Sequence, residues 1–205
     1  MNGYGSTRGI AIVNVIAALL SASSFLVYPA AATESQLIRN GDFERPAVGG
    51  YDYRLVDESN QFLLEGWNLI APRVGVKVYG TTFSRNQYQA LGLNGDDKSG
   101  IAQSFYPGRL HSKVTITWRH AQNPYQYEGC PTAPTQSYDA SVKDTTGRIV
   151  ASDVYEPVGG PGNWAAAKAL TFDVTDNHYT LTYASRTNGV CGAVVTDVIV
   201  DEYHP

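Results

Sequence analysis

The chain of 205 residues carries 15 Lys and Arg against 19 Asp and Glu, a formal net charge of -4, and its basic residues are scattered. This distribution disfavours nucleic acid and anionic membrane surfaces as partners. Beyond the N-terminal stretch, no segment is long and apolar enough to be predicted as a membrane span.

The N-terminus has the features of a secretory signal. Arg8 precedes a mostly apolar stretch over residues 10–20, and a short alanine run then offers a cleavage site. A transmembrane anchor is the alternative, but Asn14 and a serine cluster interrupt a stretch that is already short for a bilayer. We therefore expect a signal peptide over residues 1–32, a single domain over residues 33–205 and a secreted, extracellular protein.

The chain after the signal alternates apolar and polar residues with a period of two, and it is rich in Tyr, Val and Thr. This pattern is typical of strands, and Asn, Asp, Gly and Pro clusters between the segments predict turns. Strands so short and so regularly interrupted predict an all-β, antiparallel β-sandwich or barrel. The region Trp164–Leu170 reads as a further strand, with a helical turn as the alternative. The clearest predicted strands are Val74–Tyr79, Lys113–Trp118, Tyr138–Val142 and Tyr179–Tyr183.

A long irregular segment over residues 122–135 contains three prolines and one cysteine. A loop of this length in a compact domain is usually functional or fastened in place. The chain has two cysteines, Cys130 in this loop and Cys191 near the C-terminus. In an exported protein an isolated pair usually forms a disulfide, which would fasten the loop to the start of the last strand. The alternative is a free, reactive thiol.

Three short motifs follow one another along the chain: Gln36–Glu44 with its Asn-Gly-x-Phe-Glu ending, Glu65–Trp67, and Cys191–Val200. They resemble the first strand, the early Gly-Trp and the last strand of the galactose-binding-like jelly-roll domains. That group includes secreted carbohydrate-binding modules and a plant cell-wall family of unassigned function that shares the terminal Cys-Gly. The resemblance implies a jelly roll in which Gln36–Glu44 begins the first strand and Trp67 packs in the core.

Two acidic residues in these motifs need partners. Strict alternation along the last strand puts Asp197 on the same face as Val195 and Ile199, among apolar neighbours. A carboxylate there is costly unless it is paired, hydrogen-bonded or bound to a cation. Glu44 directly follows Phe43, so its carboxylate faces the side of the predicted first strand opposite the Phe43 ring. This carboxylate also needs a partner. The two residues could simply cap backbone groups or pair with an arginine such as Arg39.

In the carbohydrate-binding jelly rolls that this chain resembles, the corresponding glutamate and aspartate hold a structural calcium ion, and backbone carbonyls complete its shell. The resemblance therefore implies Glu44 and Asp197 as side-chain ligands and the carbonyl of Asp42 as a third ligand. Hard oxygen ligands of this kind suit calcium. The family pattern often has two adjacent acids before the final valine, whereas Thr196 stands in the first of these positions here.

A ligand site is expected near the end of the strand that precedes the long loop. Sugars stack on aromatic rings and hydrogen-bond to polar side chains, and the segment over residues 118–127 offers both groups. Alternation places Trp118 in the core and Arg119 on the opposite face. Trp164 is either a platform or a core anchor, and the loop tyrosines are the preferred platforms. The predicted ligand-binding residues are Arg119, Gln122, Asn123, Tyr125, Tyr127 and Trp164.

No catalytic residue is predicted, because no hydrolase motif is present and the four histidines lack metal-ligand spacing; His120, beside Arg119, is the one histidine to test. The expected function is a secreted, lectin-like module that binds a polysaccharide and contains structural calcium. One alternative is a cell-envelope module whose partner is another protein. A second alternative is a jelly-roll polysaccharide lyase or esterase, since fold does not fix function.

Overall fold

The computed structural model describes residues 36–125, 129–130 and 135–203. The predicted signal peptide and Tyr127 lie outside this range. No helix in the described part of the chain has the length and apolar character needed to cross a membrane. The described strands are β1 (Tyr53–Val56), β2 (Asn68–Leu69), β3 (Val76–Tyr79), β4 (Ala90–Gly92), β5 (Gly100–Phe105), β6 (Lys113–Ala121), β7 (Tyr138–Asp144), β8 (Ile149–Tyr155), β9 (Ala165–Ala166), β10 (Leu170–Asp173), β11 (Tyr179–Ser185) and β12 (Val194–Tyr203). A short helix, α1 (Thr81–Ser84), and a 3-10 turn at Gln61–Leu63 accompany them.

Two antiparallel sheets pack face to face. The larger sheet has the order β1-β3-β4-β12-β6-β10, with β9 paired to β6, and the smaller sheet has the order β2-β5-β11-β7-β8. Because sequence neighbours are distributed between the two sheets, the strands form a jelly-roll sandwich. The core between the sheets includes Trp67, Trp118 and Tyr183, all almost fully buried. The expected all-β fold and the core positions of Trp67 and Trp118 are confirmed.

The period-two segments form strands as predicted. They correspond to β3, β6, β7 and β11. The region Trp164–Leu170 contains β9 and the first residue of β10, so the strand interpretation is correct and the helical one is wrong. Val, Ile, Leu and Tyr side chains on alternate positions fill the core from both sheets, which is why the pattern was informative.

The N-terminal segment differs from the prediction. Gln36–Glu44 does not form a regular strand, because Asn40 and Phe43 have φ values of 51° and 55° and the Phe43 amide bonds to the Asn40 carbonyl at 3.2 Å. The segment therefore forms a turn, here called the N-terminal turn (residues 40–43). The backbone before this turn still borders β12, since the Leu37 amide donates to the carbonyl of Val200 at 3.1 Å.

The segment from Gln36 to the N-terminal turn contacts β12 through two unusual positions. The Gln36 side chain acts like a strand backbone, donating to the Val198 carbonyl at 3.1 Å and accepting from the Val200 amide at 2.8 Å. Gly41 accepts from the Val198 amide at 2.9 Å, and a Cβ atom at Gly41 would lie 2.0 Å from the Val198 carbonyl oxygen. Only glycine allows this approach.

A β-bulge interrupts β12 and overturns the predicted alternation. Its register against β6 shifts between Thr196 and Ile199, and Asp197 has φ of 51°. Before the bulge Val195 faces the core, but after it Val198 faces the core as well. An extra residue in one strand exchanges the two faces for everything beyond it. The predicted grouping of Val195, Asp197 and Ile199 on one face is therefore wrong.

Tyr125 and Cys130, from the long irregular segment, pack on the outer face of the larger sheet. Cys130 and Cys191 form the expected disulfide. Its members and their buried neighbours form a second apolar group, here called the outer cluster, which covers one half of that face. The outer cluster consists of Tyr79, Ala90, Ala121, Tyr125, Cys130, Cys191 and Val194.

Candidate functional site

The half of the outer face of the larger sheet that the outer cluster does not cover is open. A groove of about 690 Å³ lies beside the β12 bulge. Strands β6 and β12 form its floor, and the N-terminal turn and the segment before β4 form its sides. The residues that line the groove include Asn40, Asp42, Gln87, Tyr88, Arg119, Asp197 and Ile199.

An ion pair lies in this groove. Arg119 on β6 and Asp197 in the bulge approach to 3.8 Å between Nη1 and Oδ2, and their side chains are 38% and 24% exposed. Burial raises the pKa of the Asp197 carboxyl above its ordinary value; the Arg119 charge opposes this shift and the nearby Asp42 charge adds to it. The left-handed backbone of Asp197 turns its side chain out of the strand pattern toward the groove. The prediction that Arg119 faces away from the core is confirmed.

Trp164 lies behind Arg119. The guanidinium carbon of Arg119 is 6.0 Å from the centre of the Trp164 ring, and the indole nitrogen donates to the carbonyl of Ser84 at 2.8 Å. Nη1 of Arg119 also reaches Oδ1 of Asn86 at 3.5 Å. Since Trp164 is anchored at its nitrogen and faces the guanidinium, it supports Arg119 and does not line the groove as a platform.

Tyr88 supplies the aromatic surface that the groove exposes. Its side chain is 38% exposed, and Ile199, 41% exposed, provides a second apolar surface. The backbone at Tyr88 is fixed because the hydroxyl of Ser84 donates to its carbonyl at 3.0 Å. Tyr88 was not predicted as a ligand residue, because its segment meets β6 and β12 only in the folded structure.

The buried side chain of Gln89 fixes the backbone that forms one side of the groove. Its buried amide accepts from the Val48 amide at 2.6 Å and donates to the carbonyls of Phe43 and Pro46 at 2.5 and 2.9 Å. Its backbone amide donates to a Glu44 carboxylate oxygen at 3.3 Å. One side chain therefore holds the chain after the N-terminal turn against the start of β4.

Three of the predicted ligand residues have structural roles instead. Asn123 is fully buried, and its side-chain amide donates to the Tyr79 hydroxyl at 3.1 Å. The Gln122 side chain donates to the carbonyl of Pro157 at 3.2 Å. Tyr125 is 8% exposed and packs against other rings, with its centre 5.3 Å from that of Phe83. These residues hold the long loop down, so the structure does not bring them to the groove.

The predicted calcium ligands are divided between two cavities. Asp42 lines both the groove and a smaller cavity of about 240 Å³, which Glu44 and Glu65 also line, whereas Asp197 lines only the groove. No group of three or more His, Cys, Asp or Glu side chains within the described residues is arranged to hold a metal ion. A calcium ion joining Glu44 and Asp197 would therefore depend on backbone carbonyls for most of its shell.

His120 faces the interior and not the groove. Trp118 Nε1 donates to the Tyr138 hydroxyl at 2.7 Å, and this hydroxyl lies 2.8 Å from Nδ1 of His120. Because the indole can only donate, the Tyr138 hydroxyl accepts from Trp118, and its own proton remains available for the bond with His120. Burial lowers the pKa of His120 and raises the pKa of Tyr138.

No protein-family model matches the chain, and no curated protein matches it significantly. Solved structures do match. A cyclase from Fischerella sp. TAU has a TM-score of 0.65 and 14% identity, covering 83% of this chain and 98% of that chain. The Stig cyclase Fisc from the same organism, in complex with (3Z)-3-(1-methyl-2-pyrrolidinylidene)-3H-indole, has a TM-score of 0.61 and 15% identity over the same shares.

A third similar structure is TmCBM61 in complex with beta-1,4-galactotriose, with a TM-score of 0.50 and 13% identity over 81% of this chain and 97% of that chain. At this identity, similarity shows the fold alone. The chain thus shares the antiparallel jelly-roll sandwich with a carbohydrate-binding module and with two cyclases, and its activity must be argued from its own site.

Proposed function

We propose that the protein is a secreted carbohydrate-binding module that holds a polysaccharide in the groove beside the β12 bulge. The observation that carries this proposal is the composition of the groove, which combines an exposed tyrosine with a convergent set of polar side chains. Sites for polar ligands need an apolar platform and a few fixed hydrogen-bonding groups. Tyr88 and Ile199 supply the first, and Arg119 and Asp197 supply the second.

The location and openness of the groove also support this function. It lies on a sheet face, and strands β6 and β12 beneath it pair with each other, so a ligand would meet preorganised groups. The Cys130–Cys191 disulfide supports an extracellular location, because disulfides persist in oxidising compartments. The fold shared with a module in complex with beta-1,4-galactotriose adds an argument by analogy.

Binding to immobilised polysaccharides tests the proposal. The purified chain should be retained on at least one insoluble glycan without releasing soluble sugar, and Tyr88→Ala should weaken retention at least tenfold. Tyr51→Ala is the matched control, since Tyr51 is 80% exposed and does not line the groove. Retention on no glycan would overturn the proposal. Release of sugar or another product would indicate an enzyme instead.

The proposal includes one structural calcium ion with Glu44, Asp197 and the Asp42 carbonyl as ligands. Its support is that Asp42 and Asp197 line the same groove, and oxygen ligands suit calcium. Such an ion would fasten the N-terminal turn to β12. Added calcium should raise the melting temperature and EDTA should reverse the rise, whereas Glu44→Gln should abolish the response. An identical melting temperature in calcium and EDTA would exclude the ion.

A further inference from the structure

We propose, on the basis of the proposed function, that the groove selects neutral glycans and that Arg119 is its specificity-determining residue. In this arrangement Arg119 donates to one sugar oxygen, and Asp197 accepts from an adjacent hydroxyl. Trp164 is a positioning residue that fixes the guanidinium.

Arg119 has donors to spare. A guanidinium carries five N–H groups. The contacts of Arg119 with described residues use Nη1 alone, and both are long, at 3.5 Å to Asn86 and 3.8 Å to Asp197. The side chain is 38% exposed and lines the groove. It is therefore held near its position while most of its hydrogen-bonding capacity remains available to a ligand.

The charges at the groove favour a neutral ligand. Its described charged side chains are Arg119, Asp42 and Asp197, which without a bound cation gives one positive charge against two negative charges. Asp197 already opposes Arg119, so a uronate carboxylate would compete with Asp197 for the guanidinium and would be repelled by both aspartates. A pair of neutral hydroxyls avoids this cost, since one can accept from Arg119 while the other donates to Asp197.

Trp164 limits where the guanidinium can move. Its ring lies 6.0 Å from the guanidinium carbon, and its own nitrogen is fixed to the Ser84 carbonyl. A cation held over an indole face keeps its charge while its edge N–H groups remain free to donate. The ring thus orients Arg119 without using the donors that a ligand needs.

Affinity measurements on neutral and acidic soluble polysaccharides test the selectivity. Galactan, xylan and mixed-linkage β-glucan serve as neutral probes, and polygalacturonate and alginate as acidic probes, all at one ionic strength and in EDTA, so that only the charges of the protein act on the probes. We expect binding to at least one neutral probe and at least tenfold weaker binding to both acidic probes. Arg119→Met should weaken neutral-glycan binding at least tenfold, and Arg119→Lys should restore part of it. Arg186→Met is the matched control, because Arg186 is half-exposed and pairs with Asp139 at 3.3 Å on the other sheet.

A double-mutant cycle tests the positioning role of Trp164. Trp164→Leu should weaken binding, Trp164→Phe should retain most of it, and Trp164→Leu should have no further effect once Arg119 is Met. Melting temperatures of all variants separate these effects from loss of folding.

The outcomes distinguish the two proposals. Binding to no glycan by the unaltered chain would overturn both the proposed function and this inference. Glycan binding that is unchanged in Arg119→Met, or stronger for the acidic probes, would leave the function standing and overturn the inference. Additive effects of the Arg119 and Trp164 substitutions would overturn the positioning role.

Discussion

The two halves of the outer face of the larger sheet use aromatic residues in opposite ways. In the outer cluster Tyr79 and Tyr125 are buried against each other, with ring centres 5.7 Å apart, and the disulfide closes over them. In the groove Tyr88 is exposed beside an ion pair. The comparison shows that aromatic content alone does not locate a site. In the outer cluster the rings stabilise a long loop, and in the groove a short segment leaves one ring free.

Removing the disulfide, which belongs to the outer cluster, should produce the largest change in the free energy of unfolding. The pair closes a span with a sequence separation of 61, so Cys130→Ala with Cys191→Ala should lower the free energy of unfolding by about 4 kcal/mol. Chemical denaturation measures this loss. Glycan affinity of the folded protein should stay within twofold, because neither cysteine lines the groove. A large loss of affinity without loss of stability would show that the two halves are coupled.

Truncating Tyr125 should separate packing from binding. Tyr125→Ala removes a ring that packs against Tyr53, Tyr79 and Phe83, and should lower the free energy of unfolding by about 3 kcal/mol. Denaturant melts and affinity on the same preparation provide the measurement. Tyr88→Ala should show the reverse, with near-normal stability and weak binding. Equal stability for the two variants would contradict the division into a packed and a free tyrosine.

Gly41→Ala should displace the backbone of the N-terminal turn, which forms one side of the groove. The added methyl group would meet the Val198 carbonyl, so we expect a loss of about 2 kcal/mol in the free energy of unfolding and weaker glycan retention. Gly49→Ala is the control, because the nearest atom to a Cβ there is 3.9 Å away. If both variants behave like the unaltered chain, the N-terminal turn does not depend on its close approach to β12.

The smallest expected effect is a pH dependence from His120. Burial lowers the pKa of His120 from its ordinary value of 6.5, so the unfolded chain binds more protons than the folded chain just below that pH. The stabilisation is therefore fully present above pH 6.5 and is lost as the pH falls through the folded pKa. Melting temperatures between pH 8 and pH 5 should show this decline, and His120→Gln should flatten it. His111→Gln, at an exposed histidine, should leave the decline intact.

Much of the fold could be predicted because it depends on local pattern. Alternating apolar residues gave β3, β6, β7 and β11, and they placed Trp118 in the core and Arg119 outside. The two cysteines predicted the disulfide, because an isolated pair in a chain expected to be exported usually forms one. These features require only the side-chain period of a strand and the chemistry of the residues themselves.

The site could not be predicted to the same extent because its members meet only through the fold. Arg119 was identified from alternation, but Tyr88 lies on a segment that approaches β6 only in three dimensions. Gln122, Asn123 and Tyr125 look like a sugar-binding sequence, yet their side chains contact Pro157 and Tyr79 in other parts of the chain. Composition does not show whether a polar or aromatic loop residue will face water or the outer cluster.

The sequence by itself determined the sandwich, its principal strands, the disulfide and the burial of Trp118, since all of these follow from the period of two and from residue type. Only the tertiary structure decided which residues share a face beyond Thr196, because one extra residue at Asp197 reverses the alternation without leaving a mark in the apolar pattern. The same bulge brings the Asp197 carboxylate to Arg119, so the position of the groove follows from backbone geometry that the sequence does not display.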